Sequence, residues 1–214
     1  MNVWLDAILI LTVILGLFIV ASTRLGTMIH IFGLQSMILG CAPIFMYAKE
    51  MELYIVLVAG AAIVLRGFIM PQFLFWAIRH VSLRNDVSPL VGAGTTLLLS
   101  GVAIAGSFLL ASRLHFPVNI SSDILIPSSF SLIIMGFLLL VGRTKAISQV
   151  IGYLVLENGI FLFAILLLKK MPLLVEMGIL LDLFIAALVM GIVVSHISDE
   201  FKNMDTAQLT TLKD

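Results

Sequence analysis

The charges of this chain are spaced like punctuation. Between Asp6 and Arg24 lie 17 uncharged residues, between Arg24 and Lys49 lie 24, between Asp86 and Arg113 lie 26, and between Asp123 and Arg143 lie 19. A helix that crosses a bilayer needs about 20 predominantly apolar residues, so each interval has the length of one crossing. Three further stretches qualify once an internal charge is admitted: about 53–78 with Arg66, 146–168 with Glu157, and about 172–196 with Glu176 and Asp182. The spacing predicts an all-α membrane protein of about seven transmembrane helices, at about 3–23, 26–48, 53–78, 88–111, 124–142, 146–168 and 172–196. Composition points the same way. Hydrophobic residues make up 61% of the chain and charged residues 11%, with a mean hydropathy of +1.20. Soluble domains place charge on about a quarter of their positions, so a soluble fold is excluded, and so is disorder, which needs the opposite balance. A membrane barrel alternates apolar and polar residues, and these runs do not.

The lipid bilayer is thus the first partner. A net charge of zero gives no reason to expect nucleic acid or an anionic membrane surface. The single Cys41 excludes an intrachain disulfide and any multi-thiolate cluster. Asp6 stands where a cleavable signal would carry basic residues, so the first apolar run reads as a true span. Basic residues then set direction. One set of span ends carries Arg24, Arg79, Arg84, Arg143, Lys145, Lys202 and Lys213; the other carries Lys49, Arg113, Lys169 and Lys170. The bias places the first set and the C-terminus in the cytoplasm.

Sliding the chain by 119 residues pairs Arg24 with Arg143, Met28 with Ile147, Gly33 with Gly152 and Gly40 with Gly159. Spans 1–3 then fall on spans 5–7 in the same orientation, a parallel repeat of a three-helix unit with span 4 between the copies. The expected organisation is an N-terminal three-helix half at 1–80, a connecting helix and outer loop at 81–123, a second three-helix half at 124–198, and a polar cytoplasmic tail at 199–214. The offset sets Ile38 opposite Glu157 and Ile63 opposite Asp182, so only the second copy keeps the buried acids.

Those acids carry the chemistry. A charge at the bilayer centre costs on the order of 2.5–3.5 kcal/mol on the insertion scale. Glu157 is at the midpoint of its stretch, and its neighbours one helical turn away, Tyr153, Leu154, Ile160 and Phe161, are uncharged. Asp182 is ten residues past Pro172, or about 15 Å into its span. Arg66 sits mid-span, and Glu176, four residues past Pro172, reaches the outer interface. Two readings stand. In the first, the carboxyl groups relay protons and a movable cation switches them between loaded and empty. In the second, Arg66 forms a static ion pair with Glu157 or Asp182 that fixes helix register. Gln35 reads as a bond across helices. Gly92, Gly94, Gly101 and Gly106 of span 4 read as close helix packing. His30 and His196 read as interfacial. No metal, nucleophile–base or nucleotide motif stands out.

The run Gly152-Tyr153-Leu154-Val155-Leu156-Glu157-Asn158-Gly159 resembles the glycine-and-glutamate helix of membrane component E of hydrogenase-4-type formate hydrogenlyase. Pro172-Leu173-Leu174-Val175-Glu176-Met177-Gly178-Ile179 with Asp182 is similar to that family's last helix. Gln35-Ser36, Arg66 followed by Pro71, and the tail Leu209-Thr210-Thr211-Leu212-Lys213 match as well. The family's C-terminal half is in turn similar to the small K-type membrane subunit of NADH–quinone oxidoreductase and to its small counterpart in multisubunit sodium/proton antiporters. In the K-type subunit, buried glutamates on adjacent helices belong to a central hydrophilic axis. The resemblance casts Glu157 as the first such glutamate. Asp182 lies on the next helix, without reproducing the two-glutamate pattern in full. Arg66 stands where the hydrogenase family has lysine, and arginine gives up its proton far less readily, which makes it a fixed charge rather than a carrier.

The resemblance implies a non-catalytic membrane subunit of an oxidoreductase complex, a group 4 nickel–iron hydrogenase or relative, in a prokaryotic cell membrane. It also implies hydrogenase-like and antiporter-like partner subunits, with the nickel–iron and iron–sulfur centres on those partners and no cofactor in this chain. Its proton-transfer residues would be Glu157, Asp182, Arg66 and Glu176. Midplane charges and parallel repeats also fit an independent secondary transporter, and a purely structural membrane subunit is the third reading.

Overall fold

The computed structural model describes residues 3–46, 53–80, 92–114 and 122–165, together with Phe184, Ile185, Val189 and Gly191 of the last predicted span. Glu176 and Asp182 lie outside the described residues. The elements of the described chain are all helices: α1 Val3–Ala21, α2 Leu25–Gly40, a short α3 Ala42–Met46, α4 Leu53–Ala62, a π-helical stretch Ile63–Ile69, α5 Met70–His80, α6 Ala93–Arg113, α7 Leu125–Gly142 and α8 Ala146–Ile165. These make six helical segments long and apolar enough to cross a membrane. The protein is therefore an all-α, multi-pass membrane protein.

The second and third spans differ from the uninterrupted helices expected at 26–48 and 53–78. The second breaks at Cys41, whose N–H turns back onto Ile38 and Leu39. Pro43 follows at once and has no N–H to extend the ladder. The third span changes pitch ahead of Pro71. In an α-helix Pro71 would need to donate to the Gly67 carbonyl, which proline cannot do, and its ring would press on that carbonyl. The wider π turns of Ile63–Ile69 relieve the conflict, with the Met70 N–H bonding to the Leu65 carbonyl five residues back. Arg66 stands inside this stretch.

Among the described helices the tightest contact is α7 against α8. Gly136 faces the Leu156 backbone, Gly152 faces Leu139 and Leu140, and Gly159 faces Ile133 and the Ser129 carbonyl. A methyl group added at any of the three would meet backbone atoms at 2.8 Å or less. These glycines let two helix backbones touch, which is how helices associate where no hydrophobic force separates helix from lipid. The α1–α2 hairpin packs on this pair, α1 against α7 and α2 against α8, and α2 also contacts the π stretch and α5. At one end the Ser122 hydroxyl donates to Asp6 of α1 and accepts the Ile124 N–H, tying α1 to the start of α7. At the other end Arg143, only 1% exposed, donates through Nη2 to the carbonyls of Val20 (2.8 Å) and Ser22 (2.9 Å), closing the last turn of α1. Its burial pushes the guanidinium pKa below the ordinary value.

Arg24 and Arg143, which the 119-residue offset pairs, share an extended backbone between consecutive helices (φ, ψ of −108°, 123° and −113°, 142°). The paired glycines, by contrast, touch non-equivalent neighbours. Gly33 and Gly40 face Pro71 and Ile63 of the third span, whereas Gly152 and Gly159 face α7.

One expectation is corrected. Gly92, Gly94, Gly101 and Gly106 do not mediate close packing within the described chain, because a Cβ at any of them meets nothing within 4 Å. The α6 helix instead turns Thr96, Ser100 and Ser107 inward, each hydroxyl satisfied by the carbonyl four residues earlier.

Candidate functional site

The third span delivers Arg66 to α8. Gly67 makes the approach possible: its Cα lies so near α2 that an added Cβ would sit 2.6 Å from Met37 Cγ. Gly33 likewise accommodates the Pro71 ring. With the π stretch pressed against α2 in this way, the Arg66 side chain reaches α8. Its Nη2 donates to Glu157 Oε1 at 2.8 Å, and the two side chains are 6% and 3% exposed. The guanidinium carbon also lies 4.7 Å from the centroid of the Phe161 ring, one turn beyond Glu157, a cation–π distance. Arg66 is thus held between a carboxylate and an aromatic face of the same helix. Removing one partner of such a buried pair leaves an uncompensated charge and costs about 3–5 kcal/mol.

A neutral polar seam starts at the next residue of α8. Asn158 Nδ2 donates to Gln35 Oε1 (3.2 Å) and to Ser36 Oγ (3.0 Å), both on α2. The Ser36 hydroxyl returns a longer bond to Asn158 Oδ1 (3.4 Å). Gln35 Nε2 donates to the Thr12 carbonyl of α1 at 2.8 Å, and the Thr12 hydroxyl is satisfied by Leu9. Each of these side chains is buried. The seam crosses α8, α2 and α1 and fixes their relative height, since a buried amide that loses its partner forfeits its full desolvation cost.

Of the predicted site residues, the structure brings Arg66 and Glu157 together; Asp182 and Glu176 fall outside the described residues. The static pair and the switchable relay share this geometry, and it identifies Glu157 as a partner of Arg66. The expected cross-helix bond of Gln35 is present. Sequence reasoning quotes Ser36 and Asn158 only within matched motifs and gives them no role, and it does not single out Thr12 or the buried role of Arg143. Asn158 carries a signal all the same: an amide next to a buried glutamate, inside a 20-residue helix, must find partners of its own. Among the described residues no three His, Cys, Asp or Glu side chains come together as a metal site.

The chain is 28% identical over 207 residues to the uncharacterized protein Rv0085 of Mycobacterium tuberculosis, covering 94% of this chain and 92% of that one. It is 24% identical over 155 residues to Hydrogenase-4 component E of Escherichia coli, covering 72% of each chain, and the same figures hold for Hydrogenase-4 component E of Shigella flexneri. No family model matches the chain, and no solved structure matches it. The chain is a distant relative of Hydrogenase-4 component E.

Proposed function

We propose that this chain is an integral membrane subunit of an energy-converting complex of the group 4 nickel–iron hydrogenase or formate hydrogenlyase type, and that Glu157 lies on a proton path coupled to electron transfer in the complex. The observation that carries the reading is the buried Arg66–Glu157 pair, set mid-span in a chain similar to Hydrogenase-4 component E over 72% of its length. A charge pair at this depth is costly, and an intramembrane ionisable residue points to a functional site by default.

In the proposed cycle Glu157 stays ionised while Arg66 faces it. Displacement of Arg66, or arrival of another charge from a partner subunit, lets the carboxylate take a proton. Return of the cation expels it. Arg66 acts as the fixed charge, and Asp182 and Glu176 would continue the path on the last span. Nickel–iron and iron–sulfur chemistry is assigned to hydrogenase-like partners, with antiporter-like subunits alongside, and no step of the cycle runs through those centres. The distribution of basic residues supports a cytoplasmic C-terminus in a prokaryotic inner membrane.

The test begins with mild-detergent purification of the tagged chain from its native membrane, with mass spectrometry of what accompanies it. Recovery with hydrogenase-like large and small subunits supports the complex. Recovery as a stable lone chain overturns it in favour of an independent transporter. Within the complex, Glu157→Gln is expected to keep electron transfer but lose proton movement in sealed vesicles. Unchanged proton coupling would sink the relay and leave a structural subunit.

A further inference from the structure

The π stretch and α5 do not close completely on α2. Between them runs an open groove of about 290 Å³, lined by Ile29, Leu34, Met37, Phe68, Pro71 and Phe75. It faces outward: Leu34 and Phe68 are each about half exposed (50% and 51%). Its deep end is at Gly67 and Met37, next to the mid-span Arg66. Toward the other end it passes His30 and Gln72 and continues into a second depression formed by Gln72, Phe75, Trp76 and Arg79. From Gly67 to Arg79 is 12 residues, or about 18 Å of helix. One leaflet of the hydrocarbon core is about 15 Å thick, half of the ~30 Å total. The groove therefore matches the thickness of a single leaflet in length.

Its two ends differ in chemistry as the ends of a lipid do. The deep part is apolar. The shallow part carries an exposed cation, Arg79, and no acidic side chain among the described residues pairs with it. Trp76 stands beside it, a residue type that favours the headgroup level. One turn deeper, His30 packs against Phe75 with ring centroids 4.7 Å apart. Its Nδ1 is 2.8 Å from the Gly26 carbonyl; a carbonyl only accepts, so Nδ1 carries the proton and Nε2 is the ring atom left for a ligand. Along the groove His30 and Gln72 come between the apolar end and Arg79, the order in which the ester linkages of a phospholipid fall between its acyl chains and its phosphate.

We propose that this groove is a binding site for one anionic phospholipid, with an acyl chain along α2 and α5 and the phosphate on Arg79. Charge complementarity and the one-leaflet length select this occupant. Basic pockets between transmembrane helices recognise acidic head groups in the same manner. The site is local, so the chain's zero net charge does not bear on it.

The chain has two tryptophans, Trp4 and Trp76. With Trp4→Phe, which changes an exposed residue at the far end of α1, fluorescence reports on the groove alone. The full chain would be reconstituted into phosphatidylcholine vesicles containing brominated phosphatidylglycerol or, at equal mole fraction, brominated phosphatidylcholine. Phosphatidylglycerol is expected to quench Trp76 with about fivefold preference, the scale of one basic residue acting on an anionic lipid. Arg79→Gln should reduce the preference to unity, and Arg79→Lys should retain it. Equal quenching by the two lipids in the Arg79 chain overturns the proposal. So does a preference that survives Arg79→Gln. Quenching by neither lipid overturns it too, since a protein helix must then cover the groove.

Discussion

The α1–α2 and α7–α8 hairpins have the same outline and hold themselves together differently. Each is two apolar helices joined by a short turn with one arginine in extended backbone, Arg24 in the first and Arg143 in the second. In α7–α8 three glycines let the two backbones touch, and the hairpin carries the charged Glu157. In α1–α2 the equivalent depth holds neutral groups, Thr12 and Gln35, bonded to each other across the hairpin. The glycines of α2 face the third span instead of α1. A hairpin that carries a charge is locked by its own shape; a hairpin that receives polar contacts is locked by hydrogen bonds and by its neighbours.

The largest break in this comparison should come from glycine. Gly136→Ala places a Cβ on the Leu156 backbone, which cannot step aside, so its cost should exceed the ~1–3 kcal/mol of ordinary overpacking. Gly16→Ala, in α1, meets only side chains, the nearest at 3.1 Å, and should cost about 1 kcal/mol or less. Thermal unfolding in detergent, followed by size-exclusion chromatography, would rank the two. Equal losses would mean that both hairpins are packed alike.

Charge comes next. Glu157→Gln strands Arg66 and should cost about 3–5 kcal/mol. Adding Arg66→Gln should return part of that loss, and the double-mutant cycle reads the pair directly. A cycle that closes with no coupling would remove the pair from any account of stability. The arginines of the two turns then divide sharply. Arg143→Gln loses two charge-assisted bonds to the end of α1, each worth about 1.5–3 kcal/mol. Arg24 is exposed, and Arg24→Gln should stay within about 0.5 kcal/mol of the parent. The smallest effect among the buried polar groups belongs to the seam. Gln35→Leu should cost about 0.6 kcal/mol, the average for polar contacts inside a bilayer, and no more than the ~1.7 kcal/mol at their upper end. A larger loss would show that the seam, rather than shape, holds the α1–α2 hairpin in place.

Much of this is legible in the sequence because the bilayer enforces a simple rule. Apolar runs of about 20 residues must be helices, so the first six spans lie close to where charge spacing puts them. Arg66 and Glu157 are legible because charges in such runs are conspicuous. What escapes is whatever depends on neighbours. Pro71 advertises trouble in its helix, yet nothing local says that the answer is a π stretch. The span-4 glycines look like packing glycines, but only the bundle decides which face of α6 turns inward. Arg143 looks like one more interfacial cation, and its burial follows from the carbonyls left open at the end of α1, 121 and 123 residues earlier.

The sequence distance inside the Arg66–Glu157 pair has a consequence for how the protein is made. Arg66 leaves the ribosome 91 residues before the carboxylate that neutralises it. At about 5–20 residues per second, that is an interval of roughly 5–18 seconds. During it the third span holds an unmatched cation whose insertion costs on the order of 2.5–3.5 kcal/mol. The apolar residues of the span must outweigh that cost on their own until α8 arrives. The pair can form only once α8 is made, so a chain that stops short of Glu157 would carry the cost of Arg66 without the carboxylate that offsets it.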